Sequence, residues 1–149
     1  MDKNTYYIYN NEAIACCVLY SVVRIIKAID YSKYCLILPF LLDDRTIIKL
    51  KESDASTIEE FIKQNIDIFG NFNQRYLSLL PITINSSIML SDFQLIRIDD
   101  DISLMSDSEL DFSDSGDRLS KILSVVGKFC IMFAGANASN VYKLLNIDL

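Results

Sequence analysis

Any chemistry in this chain must be done without histidine, which is absent from its 149 residues. Imidazole is the usual base that activates a serine or cysteine nucleophile, so Ser–His and Cys–His pairs are excluded. The glycines Gly70, Gly116, Gly127 and Gly135 are too scattered to form a phosphate-binding loop. Carboxylates cluster only in a stretch that we expect to be exposed, where nothing would tune them for proton transfer. We therefore expect a protein that is not an enzyme.

The four cysteines, Cys16, Cys17, Cys35 and Cys130, are poor candidates for a chemical site. Most lie in apolar runs, and no two have the CxxC spacing of zinc ligands. Small buried thiols fit this pattern better than a disulfide framework does. We expect no metal, no cofactor and a reducing, cytoplasmic location. The polar N-terminus does not predict a signal peptide, and no apolar run approaches the roughly 20 residues of a membrane span.

An acidic stretch from Asp99 to Asp117 is the strongest charge feature. It holds 8 of the chain's 20 acids and no base, so the remaining 12 acids face 14 bases. The net charge of −6 therefore originates in a predicted hairpin turn and the loop after it. Three interpretations stay open: a solvated loop, a calcium site, or a docking surface for a basic partner.

The calcium interpretation is the one that the sequence can test. Counted from Asp107, an EF-hand loop needs glycine at its sixth position and glutamate at its twelfth. This chain has Phe112 and Arg118 there, so the EF-hand motif is not present. A solvated acidic loop is the simpler interpretation.

Tyrosine and arginine side chains are the best candidates for contacts with another protein, because they dominate binding hot spots. Three tyrosines lie in a polar N-terminal segment, which can alternatively be a strand or an arm packed on the core. Arg75 and Tyr76 lie in an asparagine-rich stretch that can hold a small ligand or simply cap helices. With the three aspartates of the hairpin turn, the candidate protein-binding residues are Tyr6, Tyr7, Tyr9, Arg75, Tyr76, Asp99, Asp100 and Asp101.

Apolar periodicity predicts a mainly α (α+β) fold, a compact multi-helix domain with a small β-hairpin, over residues 1–149. A first helix is predicted from Asn10 to Ile29, and a second that kinks or ends near Pro39. Asp43 or Asp44 caps the next helix, and Ser56 with Glu59 forms a capping box. The mean hydropathy of +0.25 indicates more apolar surface than one small domain usually hides, which favours a subunit of a complex.

The segment from Asn71 to Met105 has the layout of a winged helix. A helix ended by Pro81 is followed by a second helix with Ile84 and Ile88 on one side, and then by a hairpin. DNA-binding winged helices use this layout, but here the bases are only Arg75 and Arg97, and the hairpin tip is three aspartates.

This charge distribution argues against DNA binding. Cations supply most of the affinity for phosphates, and the aspartates would repel DNA over about 8 Å. A winged-helix-like shape with this charge predicts protein contact instead. The alternative, a winged-helix DNA-binding regulator, would have to use lysines of the first half, namely Lys27, Lys33, Lys49, Lys51 and Lys63.

Several phrases of the sequence resemble a known family. They are "YIYNNEAIACCVLYSVV", "CLILPFLL", "FIKQNIDIFGNFNQRYLSLLPITINSSIML", "GDRLSKI" and "VYKLLNIDL". Together they resemble the middle component of bacterial three-component ABC-ATPase conflict systems, the group that includes Lamassu-type anti-phage and anti-plasmid defence. The resemblance covers nearly the whole chain, but it includes no catalytic motif and does not account for the acidic stretch.

The resemblance implies an accessory subunit of a hetero-oligomer. Such a subunit lies between an SMC-like coiled-coil ABC ATPase and an effector, commonly a nuclease. We therefore expect a non-catalytic adaptor with no membrane and no sequence-specific nucleic-acid partner. The two competing hypotheses are the DNA-binding regulator and a small-molecule or calcium-binding domain.

Overall fold

The computed structural model describes residues 3–108 and 116–148, with side chains from residue 11 onward. Helices dominate these ranges and a small antiparallel sheet accompanies them, which confirms the predicted fold class. The elements are α1 (Lys3–Ile26), β1 (Ala28–Ile29), α2 (Tyr31–Tyr34), α3 (Ile37–Leu41), α4 (Asp44–Glu52), α5 (Ile58–Gln64), a 3-10 turn (Ile66–Phe69), α6 (Phe72–Asp92), β2 (Ile96–Ile98), β3 (Ile102–Leu104), α7 (Gly116–Phe133) and α8 (Ala138–Leu144).

Local capping signals located the start of α4 and, to within one residue, that of α5. Of the two predicted caps, Asp43 and Asp44, it is Asp43 that caps α4, since its carboxylate accepts from the backbone N–H of Thr46. The predicted capping box is wrong by one residue: Thr57, not Ser56, caps α5 by accepting from the N–H of Glu60. The Glu60 carboxylate in turn accepts from the N–H of Ser56. Ser56 with Glu59 and Thr57 with Glu60 both have the spacing of a capping box. The burial of Ile58, the first residue of α5, selects the second pair.

The predicted break at Pro81 is wrong, because α6 continues through it from Phe72 to Asp92. Tyr76 and Thr83, on either side of the proline, are both buried in the fold, while Pro81 itself faces solvent. Packing on both sides offsets the hydrogen bond that proline cannot donate. The helix-turn-helix predicted around Pro81 is therefore not formed, and α6 leads as one helix into the hairpin of β2 and β3.

Pro39 has a different effect from Pro81. The predicted second helix is divided into α2 and α3, and Pro39 lies in the first turn of α3. A first-turn N–H has no partner within its own helix, so proline is tolerated there without a kink. The chain can thus bury α3 completely despite its proline.

The predicted hairpin is confirmed, with β2 and β3 antiparallel and Ile98 opposite Ile102. The sequence did not predict β1, whose two residues pair with β3 and complete a sheet of order β1-β3-β2. The hydroxyl of Tyr20 in α1 donates to the backbone oxygen of Ser106 at 2.6 Å. These contacts fix the sheet to the C-terminal half of α1.

Aromatic side chains form the centre of the core. The ring of Phe40 lies 4.9 Å from that of Phe72 and 5.7 Å from those of Phe69 and Phe129, between centroids. α1 packs along both α6 and α7, and α3 lies against α6. In the described ranges no single helix is long and apolar enough to cross a membrane, although α7 and α8 together reach that length with a bend of 112°.

Candidate protein interface

Arg75 lies inside the fold and stabilises it. Its Nη1 donates to Asp43 Oδ2 at 2.6 Å, and the two side chains are only 14% and 12% exposed. The guanidinium also lies 4.9 Å from the ring centroid of Phe72. Burial lowers the pKa of Arg75, and the negative charge of Asp43 offsets part of this effect. The guanidinium stays protonated, as arginine side chains do in proteins. The pair joins the start of α4 to α6, so its described contacts are intramolecular.

Tyr76, the neighbour of Arg75, points towards a surface groove. Its ring packs edge-to-face on Tyr142 of α8, with centroids 5.7 Å apart. Tyr142 donates its hydroxyl proton to the backbone oxygen of Ser32 at 2.6 Å. The hydroxyls of Tyr76 and Tyr142 lie 3.3 Å apart, and because the proton of Tyr142 is already used, Tyr76 is the donor between them. Burial raises the pKa of Tyr142, which keeps this phenol neutral.

We call the cavity beside these rings the tyrosine groove. It has a volume of about 950 Å³. It is lined by residues of α2 and α8, and Tyr76 of α6 contributes to its wall. The residues lining it are Tyr31, Ser32, Cys35, Tyr76, Ala138, Ser139, Tyr142, Lys143, Asn146, Ile147 and Asp148.

The hairpin turn of Asp99, Asp100 and Asp101 is joined to this groove through Tyr31. Tyr31, which lines the groove, donates its hydroxyl to the backbone oxygen of Asp99. The N–H of Asp99 donates to the oxygen of Asp101 at 3.0 Å, which closes the turn. Tyr31 thus connects Asp99 to the groove that Tyr76 lines. The sequence did not indicate this, because Tyr31 is what connects them.

The acidic stretch is not one surface. Asp107 forms a salt bridge with Arg24 at 2.6 Å and lies 3.9 Å from Lys27. The hydrogen bond from Arg24 is the main reason why the pKa of Asp107 is lowered. Asp117 lies in the first turn of α7, and residues 109–115 are outside the described ranges. Among the described residues of the stretch, Asp99 in the hairpin turn is the one joined to a residue that lines the groove.

A second surface lies along α6, whose central part has its polarity reversed. Thr83, Ser86 and Ser87 are 2%, 0% and 6% exposed and face the core. Leu77, Ile84 and Ile88 are 52%, 52% and 51% exposed and face solvent. With the exposed Pro81 they follow each other at intervals of four, three and four residues, which places them on one side of the helix. We call Leu77, Pro81, Ile84 and Ile88 the α6 face.

The reversed polarity has a structural cause on its inner side. Tyr34 donates to Ser87 Oγ, and Ser87 donates to the backbone oxygen of Thr83, each at 2.6 Å. Cys16 Sγ lies 3.7 Å from the backbone oxygen of Ser86, so small side chains let α1 approach the α6 backbone closely. In this central part of α6, large apolar residues are thereby excluded from the inner side. They lie on the outer side instead, where about half of each side chain stays exposed.

The α6 face is also free of charge. The sequence has no Asp, Glu, Lys or Arg from Tyr76 to Ser91. An exposed helix normally presents charged residues to water. The face could have been predicted from two features of the sequence together. One is this uncharged run, and the other is the set of polar residues, one helical turn apart, on the side of the helix opposite the isoleucines.

No group of three His, Cys, Asp or Glu side chains in the described ranges is placed to hold a metal. The thiols are free, and burial raises the pKa of Cys130 to about 12, which makes it unreactive. Tyr6, Tyr7 and Tyr9 lie in the first turns of α1, not in a strand or arm, and their side chains are outside the described part.

Comparison with known proteins gives one match. The family model for the "ABC-three component (ABC-3C) system Middle Component 3" matches residues 2–149. No curated protein matches. No solved structure matches.

Proposed function

Since the chain belongs to the middle components of ABC three-component systems, we propose that it is a non-catalytic adaptor between an SMC-like coiled-coil ABC ATPase and an effector nuclease. A Lamassu-type defence system in the cytoplasm is the setting that we propose. Membership of a multi-component system implies partner subunits. The lack of histidine and of clustered metal ligands in the described ranges supports a binding function.

The observation that carries this proposal is the α6 face. Three large apolar side chains at helical spacing, each half exposed, are costly to leave in water on a protein that works alone. Completing the burial of each would contribute roughly 1 kcal/mol to association. An apolar helix of a partner subunit fits this face, since helices pack by inserting side chains between such rows.

The DNA-binding alternative loses its structural basis. The helix-turn-helix that motivated it is a single helix. Lys33, one of the lysines that would have bound phosphates, is buried and donates through Nζ to the backbone oxygen of Ala134 at 2.7 Å. Arg75 is paired with Asp43, and Arg97 lies 3.8 Å from Asp99. We therefore do not propose nucleic acid as a partner.

Co-expression of the tagged chain with the ATPase and effector of its system tests the proposal. We expect the wild type to retain both partners, and the double variant Ile84→Glu, Ile88→Glu to lose at least one of them. The matched control is Ile131→Glu, which makes the same change at an isoleucine of α7 that is 81% exposed. Equal retention by both variants, or no complex with the wild type, would refute the proposal.

A further inference from the structure

We propose that the tyrosine groove binds an extended, positively charged peptide segment of a partner subunit. This inference rests on the proposed adaptor function and concerns a surface separate from the α6 face. It assigns an occupant to a cavity of about 950 Å³ that the docking of a helix on α6 would leave open.

The walls of the groove suit a peptide. Tyr31 and Tyr142 present flat rings with hydroxyl groups, a combination that contributes contact area at little entropic cost. The rings are fixed before binding, because Tyr142 is bonded to Ser32 and Tyr31 to the backbone of Asp99. A site with rigid aromatic walls loses less conformational freedom when a ligand orders on it.

The charges around the groove select a basic occupant. The backbone oxygen of Asp99 accepts from Tyr31, with Asp100 and Asp101 next in the same turn; Asp148 lines the groove, and Asp30 lies close enough to act on Tyr142. The bases among the described neighbours are Lys143, which lines the groove, Arg97, which lies 3.8 Å from Asp99, and the buried Lys33, which interacts with Asp30. Five acids against three bases give a negative potential that attracts Arg and Lys and repels phosphate groups.

Selection of short random peptides displayed on phage, with the full-length protein immobilised, tests this assignment. We expect the enriched peptides to be rich in Arg or Lys and to contain an aromatic residue. Their affinity, measured by calorimetry, should fall as salt is raised, because exposed charge pairs are screened. Failure to enrich any peptide, or enrichment of neutral or acidic ones, overturns the proposal.

Variants locate the binding site. Ser139 is exposed and lines the groove, so Ser139→Trp should fill it and weaken peptide binding by about tenfold or more. Asn140→Trp makes the same change at the next residue, which does not line the groove, and should leave binding unchanged. The triple variant Asp99→Asn, Asp100→Asn, Asp101→Asn should weaken binding by a similar factor and remove much of its salt dependence.

The same variants separate this inference from the adaptor proposal. The Ile84→Glu, Ile88→Glu protein should bind the selected peptides as the wild type does. If basic peptides bind Ser139→Trp normally, the groove is not their site and the inference is wrong, whatever the co-expression result. If co-expression yields no complex while the peptides still depend on Ser139 and the aspartates, only the adaptor proposal fails.

Discussion

At the scale of single residues, the fold depends on Asp43. Its carboxylate accepts from the Thr46 N–H at 3.1 Å and from Arg75 at 2.6 Å, and Arg45 approaches it to 3.2 Å. Burial alone would raise its pKa, but the hydrogen bonds from Arg45 and Thr46 and the charge of Arg75 lower it. One side chain thus caps α4 and neutralises the buried cation of α6.

Asp43→Asn keeps the cap but removes the charge, so we expect it to destabilise the protein by about 2–4 kcal/mol at pH 7. Because the folded pKa is lowered, the contribution of Asp43 is complete above about pH 4 and is lost as the pH falls through the folded value. Urea unfolding at pH 7 and pH 3 measures both effects. Between pH 7 and pH 3, the free energy of unfolding should fall less for the Asp43→Asn variant than for the wild type.

The control for this prediction is Asp44→Asn, since Asp44 is exposed in the same helical turn. It should cost no more than about 1 kcal/mol, the usual effect of an acid at a helix start. If both variants unfold alike, the buried ion pair does not have the importance that its geometry indicates.

Residue types alone could not assign Arg75 and Tyr76. Both are typical of binding hot spots, yet Arg75 binds Asp43 within the fold, and only Tyr76 reaches a groove. The deciding partners, Asp43 and Tyr142, are distant in sequence. No local pattern identifies them.

At the scale of elements, α6 combines a proline in its interior with reversed polarity. Pro81 cannot donate a backbone hydrogen bond, and a proline inside a helix usually costs about 3 kcal/mol relative to alanine. The helix persists because Phe72, Tyr76 and Leu90 pack on the core at both of its ends. Tertiary packing therefore overrides the local signal.

Pro81→Ala restores the N–H and removes the steric conflict with the preceding turn. We expect it to stabilise the protein by about 2 kcal/mol, somewhat less than the helix cost because the unfolded chain gains freedom. Thermal and denaturant unfolding would measure the change. Lower stability in the alanine variant would mean that the core requires the local geometry set by the proline.

The sequence predicted those elements that local signals control. The Asp43 cap and the hairpin around Asp99–Asp101 were correct. The continuity of α6, the division between α2 and α3, and the two-residue strand β1 were not predicted, because each depends on contacts between distant segments. The outward position of Ile84 and Ile88 has the same cause, since Thr83 and Ser87 are held inside by Tyr34.

At the scale of the whole molecule, the two candidate surfaces differ in charge. The hairpin turn with its aspartates is joined to the tyrosine groove through Tyr31, whereas the α6 face carries no charge at all. Two surfaces of different chemistry suit two different partners, which is what an adaptor requires. The mean hydropathy of +0.25 follows in part from apolar residues that this chain does not bury itself.

The most direct test of this account is a photo-cross-link from the α6 face. Replacing Ile84 with p-benzoylphenylalanine and irradiating the co-expressed complex should join this chain to another subunit of its system, identified by mass spectrometry. The same amino acid in place of Ile131 should give no such product. Cross-links from position 131 but none from position 84, or only links between copies of this chain, would contradict the claim that α6 holds a partner.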